Sequence, residues 1–349
     1  MMPDGGKTWE FSKRLEIGVF PQSSRYEVPI SSLSSFHMDE HVPVLFDEVL
    51  AFLEPRSGGQ YIDGTVGAGG HSAGILQESA PDGRLLAFDR DAEALAFARE
   101  RLSAYGDRVS YVHDSYARME LLAPLHGFQE VDGILLDLGL SSRQLDDPQR
   151  GFSFLREGPL DMRFDTSGGQ TAADLVNHLD EASLADIFWR YGEERLSRKY
   201  ARAIVAARPI RTTAELAELI EREAPYAVRR KRIHPATQVF QALRIAVNQE
   251  LSELEAGLPA AIDLLQPGGR LAVISFHSLE DRFVKNSFRD LSKDCICPPR
   301  QPICTCDAHA VVRVLTRKVV MPGEEEVERN PRSRSARLRV AEKLGTGSN

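Results

Sequence analysis

The chain is poor in cysteine: four in 349 residues, all between residues 295 and 306. A disulfide-stapled secreted scaffold spreads its cysteines through the fold, so this distribution points to a reducing, cytoplasmic setting. No apolar run approaches the roughly 18 residues that a membrane span requires. Residues 1–37 lack the apolar core of a signal peptide. They are polar and weakly patterned, and read as a disordered extension or as a misassigned start ahead of Met38. Excess positive charge is missing too. The formal net charge is −8, which excludes a generally basic coat for nucleic acid but not a local basic surface. No internal repeat is visible. What remains is the composition of a soluble globular protein, 42% hydrophobic and 27% charged, long enough for a large core and two domains.

Strand and helix patterns alternate along the first half. "QYIDGTV" reads as a buried strand ending in a glycine turn, followed by a helix over 70–80. "GRLLAFDRD" (83–91) is a second strand ending in acids. "AEALAFARERLSAYG" (92–106) has helical 3–4 spacing, and "RVSYVHD" (108–114) is a third strand. "VDGILLDLGLSS" (131–142) is apolar on both faces, as a central parallel strand should be. This rhythm predicts an α/β fold, a doubly wound, mostly parallel sheet with ligands at the carboxyl ends of its strands. From 171 to 230 the pattern is helical, with Thr212 and Glu215 spaced as a capping box. A helical insertion over 143–236 follows, splitting a sheet domain of residues 38–142 and 237–349. The sheet resumes with one long helix (236–266), a "QPGG" turn and the strand "RLAVISFHS" (270–278). Segments 309–320 and 335–343 suit an antiparallel edge.

The glycine turn "GTVGAGGHS" narrows the ligand. A nucleoside triphosphate loop needs Gly-Lys-Ser/Thr, and Gly70 is followed here by His71 and Ser72. Gly67 and Gly69 open a dinucleotide fingerprint, but Ser72 holds its third glycine position. Asp89, ending the second strand, suits the ribose hydroxyls of NAD and of S-adenosylmethionine (SAM) alike. Three features favour SAM. Asp63, before the turn, can meet a cationic amino-acid end, or merely bond the turn. Asp137 puts a carboxylate at the presumed reaction centre, or caps a turn. "LLQPGGRLAVISF" is a helix–turn–strand approach common in SAM enzymes. The rival enzyme reading is an NAD-dependent oxidoreductase. The non-enzyme rival is a ribosome-assembly factor that keeps the fold only to bind RNA.

Several long motifs then occur together and in order: "HVPVLFDEVL", "YIDGTVGAGGHS", "DGILLDLGLSSRQLDDPQRGFSF", "GPLDMRFD", "YGEERLSRKYARAIV", "HPATQVFQALRIAVNQEL", "ISFHSLEDR" and "MPGEEEVERNPRSRSARLRVAEK". From His41 to Glu342 the chain resembles the ribosomal RNA small-subunit methyltransferase H family, also called MraW. The resemblance implies a Rossmann-like class I SAM methyltransferase domain with an inserted helical domain for substrate recognition. It implies SAM-dependent N4-methylation of a cytidine at the decoding centre of 16S ribosomal RNA in the small subunit. It carries cofactor contacts to Gly69, Gly70, His71, Asp89, Tyr116, Asp137 and Gln144. Tyr116 stands where the family often has Phe, which keeps a ring face for the adenine.

N4 of cytosine is a weak nucleophile, because its lone pair is delocalised into the ring. A sulfonium methyl is already activated, so the enzyme's main work is to hold nitrogen, methyl and sulfur in line, about 3 Å from nitrogen to carbon. An acceptor near the amine orients it and takes its proton. Asp137 is the first candidate and His277, at the end of "ISFHS", the second. For RNA, Arg143, Arg150, Arg156 and Arg163 alternate with Phe152, Phe154 and Phe164, which suits a base-holding lid, or else docks the insertion. Arg229, Arg230, Lys231 and Arg232 form a sharper basic cluster for phosphates. The methyl-transfer site needs no metal. Cys295, Cys297, Cys304 and Cys306 offer a structural zinc site as an alternative to simple thiols.

Overall fold

In a computed structural model of the protein, residues 43–345 are described, apart from 296, 298–300, 302–304 and 307. The expected extension over 1–37 lies outside them. Seven strands form one sheet: β1 (Gln60–Asp63), β2 (Arg84–Asp89), β3 (Val109–His113), β4 (Val131–Asp137), β5 (Leu265–Ser275), β6 (Val312–Val314) and β7 (Arg337–Lys343). Their order is β3-β2-β1-β4-β5-β7-β6. The first five run parallel, while β7 is antiparallel to both β5 and β6. The antiparallel pair forms as expected, but β7 is an inner strand and only β6 is an edge. The strand order reverses between β1 and β4, so the crevice for a ligand opens at their carboxyl ends.

Alternation explains why these segments pair. Leu85 and Ala87 join the apolar cluster on one face of the sheet, and Leu86 and Phe88 join the cluster on the other. Residues two apart share a face, so a strand covered on both sides reads as a continuous apolar run. Helices Phe46–Leu53 and Gly70–Glu78 cover the first face, and Glu250–Leu264 and Ser278–Leu291 cover the second. No helix among the described residues is long and apolar enough to cross a membrane.

A third apolar cluster is built by helices Ala172–His178, Glu181–Gly192, Ser197–Ala207 and Thr213–Glu223. The Thr212–Glu215 capping box is present. One sequence expectation changes here. The long helix over 236–266 is two helices, Thr237–Asn248 and Glu250–Leu264, broken at Gln249 with φ +54°. Val239, Phe240 and Leu243 of the first belong to the helical cluster. Leu254 and Leu258 of the second belong to the cluster on the sheet.

The break has a visible cause. The buried Asn248 side chain accepts from Phe164 N at 2.7 Å and donates to Met162 O at 2.7 Å. Its carbonyl accepts from Arg90 Nη1 at 2.7 Å. One residue thus ties the helical layer to the end of β2. Arg244 and Glu250 bridge the break with a two-pronged pair at 2.7 and 2.8 Å.

Candidate active site

The glycine turn leaves β1 and enters helix Gly70–Glu78. Gly69 caps that helix at φ +78°, ψ +20°, a left-handed geometry that glycine adopts without strain. Gly67 is also left-handed, and a β-carbon there would meet only Thr65 O, at 3.9 Å. Its outer face is therefore open to a ligand. Ser72, which breaks the dinucleotide fingerprint, donates from Oγ to Asp63 Oδ2 at 2.6 Å. Thr65 N donates to the other Asp63 oxygen at 3.1 Å. With 1% of its surface exposed and both oxygens engaged, Asp63 holds the turn and does not present itself to a ligand. The cationic end expected to meet it must be met elsewhere.

Asp89 lies at the tip of β2 and accepts from Gly67 N at 2.8 Å and from Asp91 N at 2.9 Å. Each oxygen keeps a lone pair for a further donor. Asp137 ends β4, and its backbone N–H donates to Thr65 Oγ1 at 2.7 Å. Its side chain is 25% exposed, yet Oδ1 is buried and has no hydrogen-bond partner among the described residues. His71 donates from Nε2 to Val44 O at 3.0 Å and turns Nδ1 toward Asp137 Oδ2, 3.8 Å away. Burial pushes the Asp63 and Asp89 carboxyls up to about 6. Burial first, then the neighbouring Asp63 and Glu280 charges, push Asp137 up to about 7. The tips of β1, β2 and β4 thus hold three carboxyls that burial makes harder to ionise.

The remaining expected contacts are distributed unevenly. Tyr116 lies in a short turn after β3, with its ring packed so that a β-carbon on Gly257 would come within 2.4 Å. Burial is the largest cause that holds its hydroxyl well above the usual range. Gln144 uses both ends of its amide. It accepts from Ser141 N at 3.0 Å and donates to Asp91 Oδ2 at 2.8 Å. His277 is the N-cap of helix Ser278–Leu291 in a reciprocal box: its Nδ1 accepts from Glu280 N at 3.4 Å, and Glu280 Oε2 accepts from His277 N at 3.4 Å. The cap occupies Nδ1, while Nε2 is a buried atom with no hydrogen-bond partner among the described residues, 3.1 Å from Glu280 Oε1.

In the arginine–phenylalanine loop the phenylalanines pack inward, as in the docking role that stood beside the base-holding lid. Phe152 stacks on Phe164 at 5.5 Å, and Phe154 meets Phe240 edge-on at 4.8 Å. Arg163 grips Asp161, and Arg143 lies 3.7 Å over the Phe97 ring. Apolar burial won over solvent display because the loop is the seam between the helical layer and the sheet.

The matching family model, described as the MraW methylase family, spans residues 38–344. The chain belongs to the MraW methylase family. It is 55% identical over 309 residues to ribosomal RNA small subunit methyltransferase H of Syntrophobacter fumaroxidans, covering 88% of this chain and 97% of that one. The Geobacter sp. (strain M21) protein of the same name is 53% identical, covering 89% and 100%. That of Thermomicrobium roseum is 55% identical, covering 87% and 94%.

The chain also uses residues that the sequence pattern did not single out. Asp91 caps helix Ala92–Arg101 and receives both Gln144 and Arg150, the latter at 2.7 Å. An acid directly before "AEALAFARER" is a readable cap signal; its long-range partners are not. Glu280 lies three residues beyond His277, so the cap was spaced to be found, but His is an uncommon cap residue. The basic cluster lies in and after helix Tyr226–Arg229. All four of its side chains are exposed, and among the described residues none pairs with an acid. Tyr226 and Ile233 beside them are 66% and 65% exposed.

Proposed function

We propose that the chain transfers the methyl group of SAM to N4 of a cytidine at the decoding centre of 16S ribosomal RNA, acting on the small subunit in the cytoplasm. The observation that carries this reading is the buried, unpartnered Oδ1 of Asp137, beside an open glycine turn. An acceptor held in that state suits an amine that must be oriented and then lose a proton. When bound, SAM supplies a methyl group activated by its sulfonium charge. Asp89 is placed to accept from ribose hydroxyls, and the Gly67–Gly69 turn lets backbone approach the ligand closely. Tyr116 offers a ring face to the adenine, and Gln144, an expected cofactor contact, also fixes the loop after β4 through Ser141 N and Asp91. Asp137 takes the proton from the amine.

Charge separates SAM from NAD. Asp89 and Asp137 both resist ionisation, so a pyrophosphate would add repulsion where a sulfonium and an ammonium relieve it. SAM binding is therefore expected to release protons. Its affinity should rise with pH, by up to about tenfold per unit below pH 6 for each proton that must leave. Calorimetry in buffers of different ionisation enthalpy checks this, and equal affinity at pH 5.5 and pH 8 would contradict it.

The exposed cations with Tyr226 and Ile233 support an RNA contact, since phosphates need charge and unpaired bases need apolar faces. Replacing Arg229, Arg230, Lys231 and Arg232 together by Ala is expected to weaken RNA binding and flatten its salt dependence. The slope should fall by about 0.7–0.9 for each phosphate that is no longer neutralised. SAM affinity stays unchanged. An unaltered salt titration would refute the assignment. The function as a whole is tested by nucleoside mass spectrometry of small-subunit RNA from cells with and without the protein. Loss of N4-methylcytidine is the expected result. An unchanged level would favour a non-catalytic assembly role.

A further inference from the structure

The cysteine segment plays no part in the chemistry above. It joins helix Ser278–Leu291 to edge strand β6. The helix begins beside the strand tips, and register shows where the chain then goes. Ser275, at the carboxyl end of β5, pairs with Arg337, and Arg270 pairs with Glu342. Val312 pairs with Lys343, one residue further from the tips. Leu291 and Val311, which flank the segment, therefore lie at the end of the sheet opposite the candidate active site.

Three thiols converge there. The sulfurs of Cys295, Cys297 and Cys306 lie within 4.8 Å of one another. Cys295 and Cys306 sulfurs are 3.7 Å apart. A disulfide would need about 2.05 Å. Two thiolates on one tetrahedral zinc, each about 2.3 Å from the ion, stand about 3.8 Å apart by geometry. Backbone donors are also in place, with Thr305 N on Cys297 Sγ and Cys297 N on Cys295 Sγ, both at 3.4 Å. Such N–H···S bonds stabilise thiolates, and ligands in metal sites are oriented by this kind of outer support.

We propose that Cys295, Cys297 and Cys306 bind one zinc ion in a structural site that closes the segment between helix Ser278–Leu291 and β6. Each thiol loses its proton to solvent on binding, and no oxidation is involved. Cys304 lies outside the described residues, and the experiment decides whether it supplies the fourth ligand. Neighbouring bonds give the closure a purpose. Val311 N donates to Leu291 O at 2.8 Å, and Ala310 N to Asp294 Oδ1 at 3.2 Å, where the segment rejoins the sheet. A metal clip beside these bonds removes loop freedom from the unfolded chain and anchors a three-residue edge strand.

The test is elemental analysis of full-length protein purified without added metal, with thiol titration before and after chelation. One zinc per chain is expected, with the thiols protected from alkylation until the chelator is added. Cobalt substitution should give a thiolate-to-cobalt band in the near ultraviolet. Cys306→Ser should weaken that band and lower Tm, and Cys304→Ser should do the same if Cys304 is the fourth ligand. SAM affinity should be unchanged in both. Reactive thiols in metal-free protein, with no change in Tm when zinc is added, would overturn the proposal. Because the chelation arm uses the unmutated chain, a variant that fails to fold leaves the result decisive.

Discussion

Asp137→Asn is expected to slow methyl transfer by about 10²–10⁴-fold at saturating SAM, the usual range for losing a positioned proton acceptor. The same change should stabilise the unliganded protein, because an amide carries no charge to bury. The carboxyl is pushed up to about 7 in the folded protein, against about 3.9 in an unfolded chain. Between these values the folded state binds more protons than the unfolded one, so the wild-type carboxylate lowers stability as pH rises. The stabilising effect of the amide should be small near pH 4, grow through the interval and level off above pH 7. Urea denaturation of both proteins at pH 5 and pH 8 measures it. If Asp137 only holds the cofactor, the loss will appear in SAM affinity, with turnover at saturation unchanged. That outcome would remove it as the acceptor.

This pairing of gain and loss follows from how the site is made. The sheet places Asp89 and Asp137 at nearby strand ends, where burial disfavours the charges that the proposed ligand needs. Such strain is local, and its cost is carried by the two apolar faces beneath. The strands that create this arrangement were legible, because residues such as Leu85 and Leu86 alternate between faces within continuous apolar runs. Asp89 and Asp137 were legible as acids that end those runs. The role of Ser72 was not, since a missing glycine does not announce a hydrogen bond back to Asp63. The break at Gln249 was hidden as well. Apolar spacing continues on both sides of it, and the signal is a buried asparagine whose partners lie more than eighty residues away. Phe152, Phe154 and Phe164 were ambiguous in principle, because an aromatic side chain suits a seam as well as a base.

Arg150→Ala is expected to cost about 3–5 kcal/mol of stability, the range for removing one partner of a buried ion pair. Arg150 and Asp91 side chains are 9% and 6% exposed and meet at 2.7 Å. The second arm of the guanidinium reaches Phe164 O at 2.9 Å and Arg163 O at 3.1 Å. Alanine leaves the acid short of its cation and these carbonyls short of a donor. Lys keeps the charge but cannot fork, so Arg150→Lys should recover only part of the loss. The cost should shrink when Asp91 is already Asn, because a neutral amide is less expensive to strand; a double-mutant cycle under chemical denaturation isolates that coupling. The effect should extend to the ligand. Asp91 N donates to Asp89 Oδ1, so a shift of Asp91 moves the proposed ribose acceptor directly. SAM affinity should fall along with stability in Arg150→Ala, and both should return in part with Lys. A variant within about 1 kcal/mol of wild type, by the same measure, would mean that the seam is held by its phenylalanines and that this buried charge pair adds little.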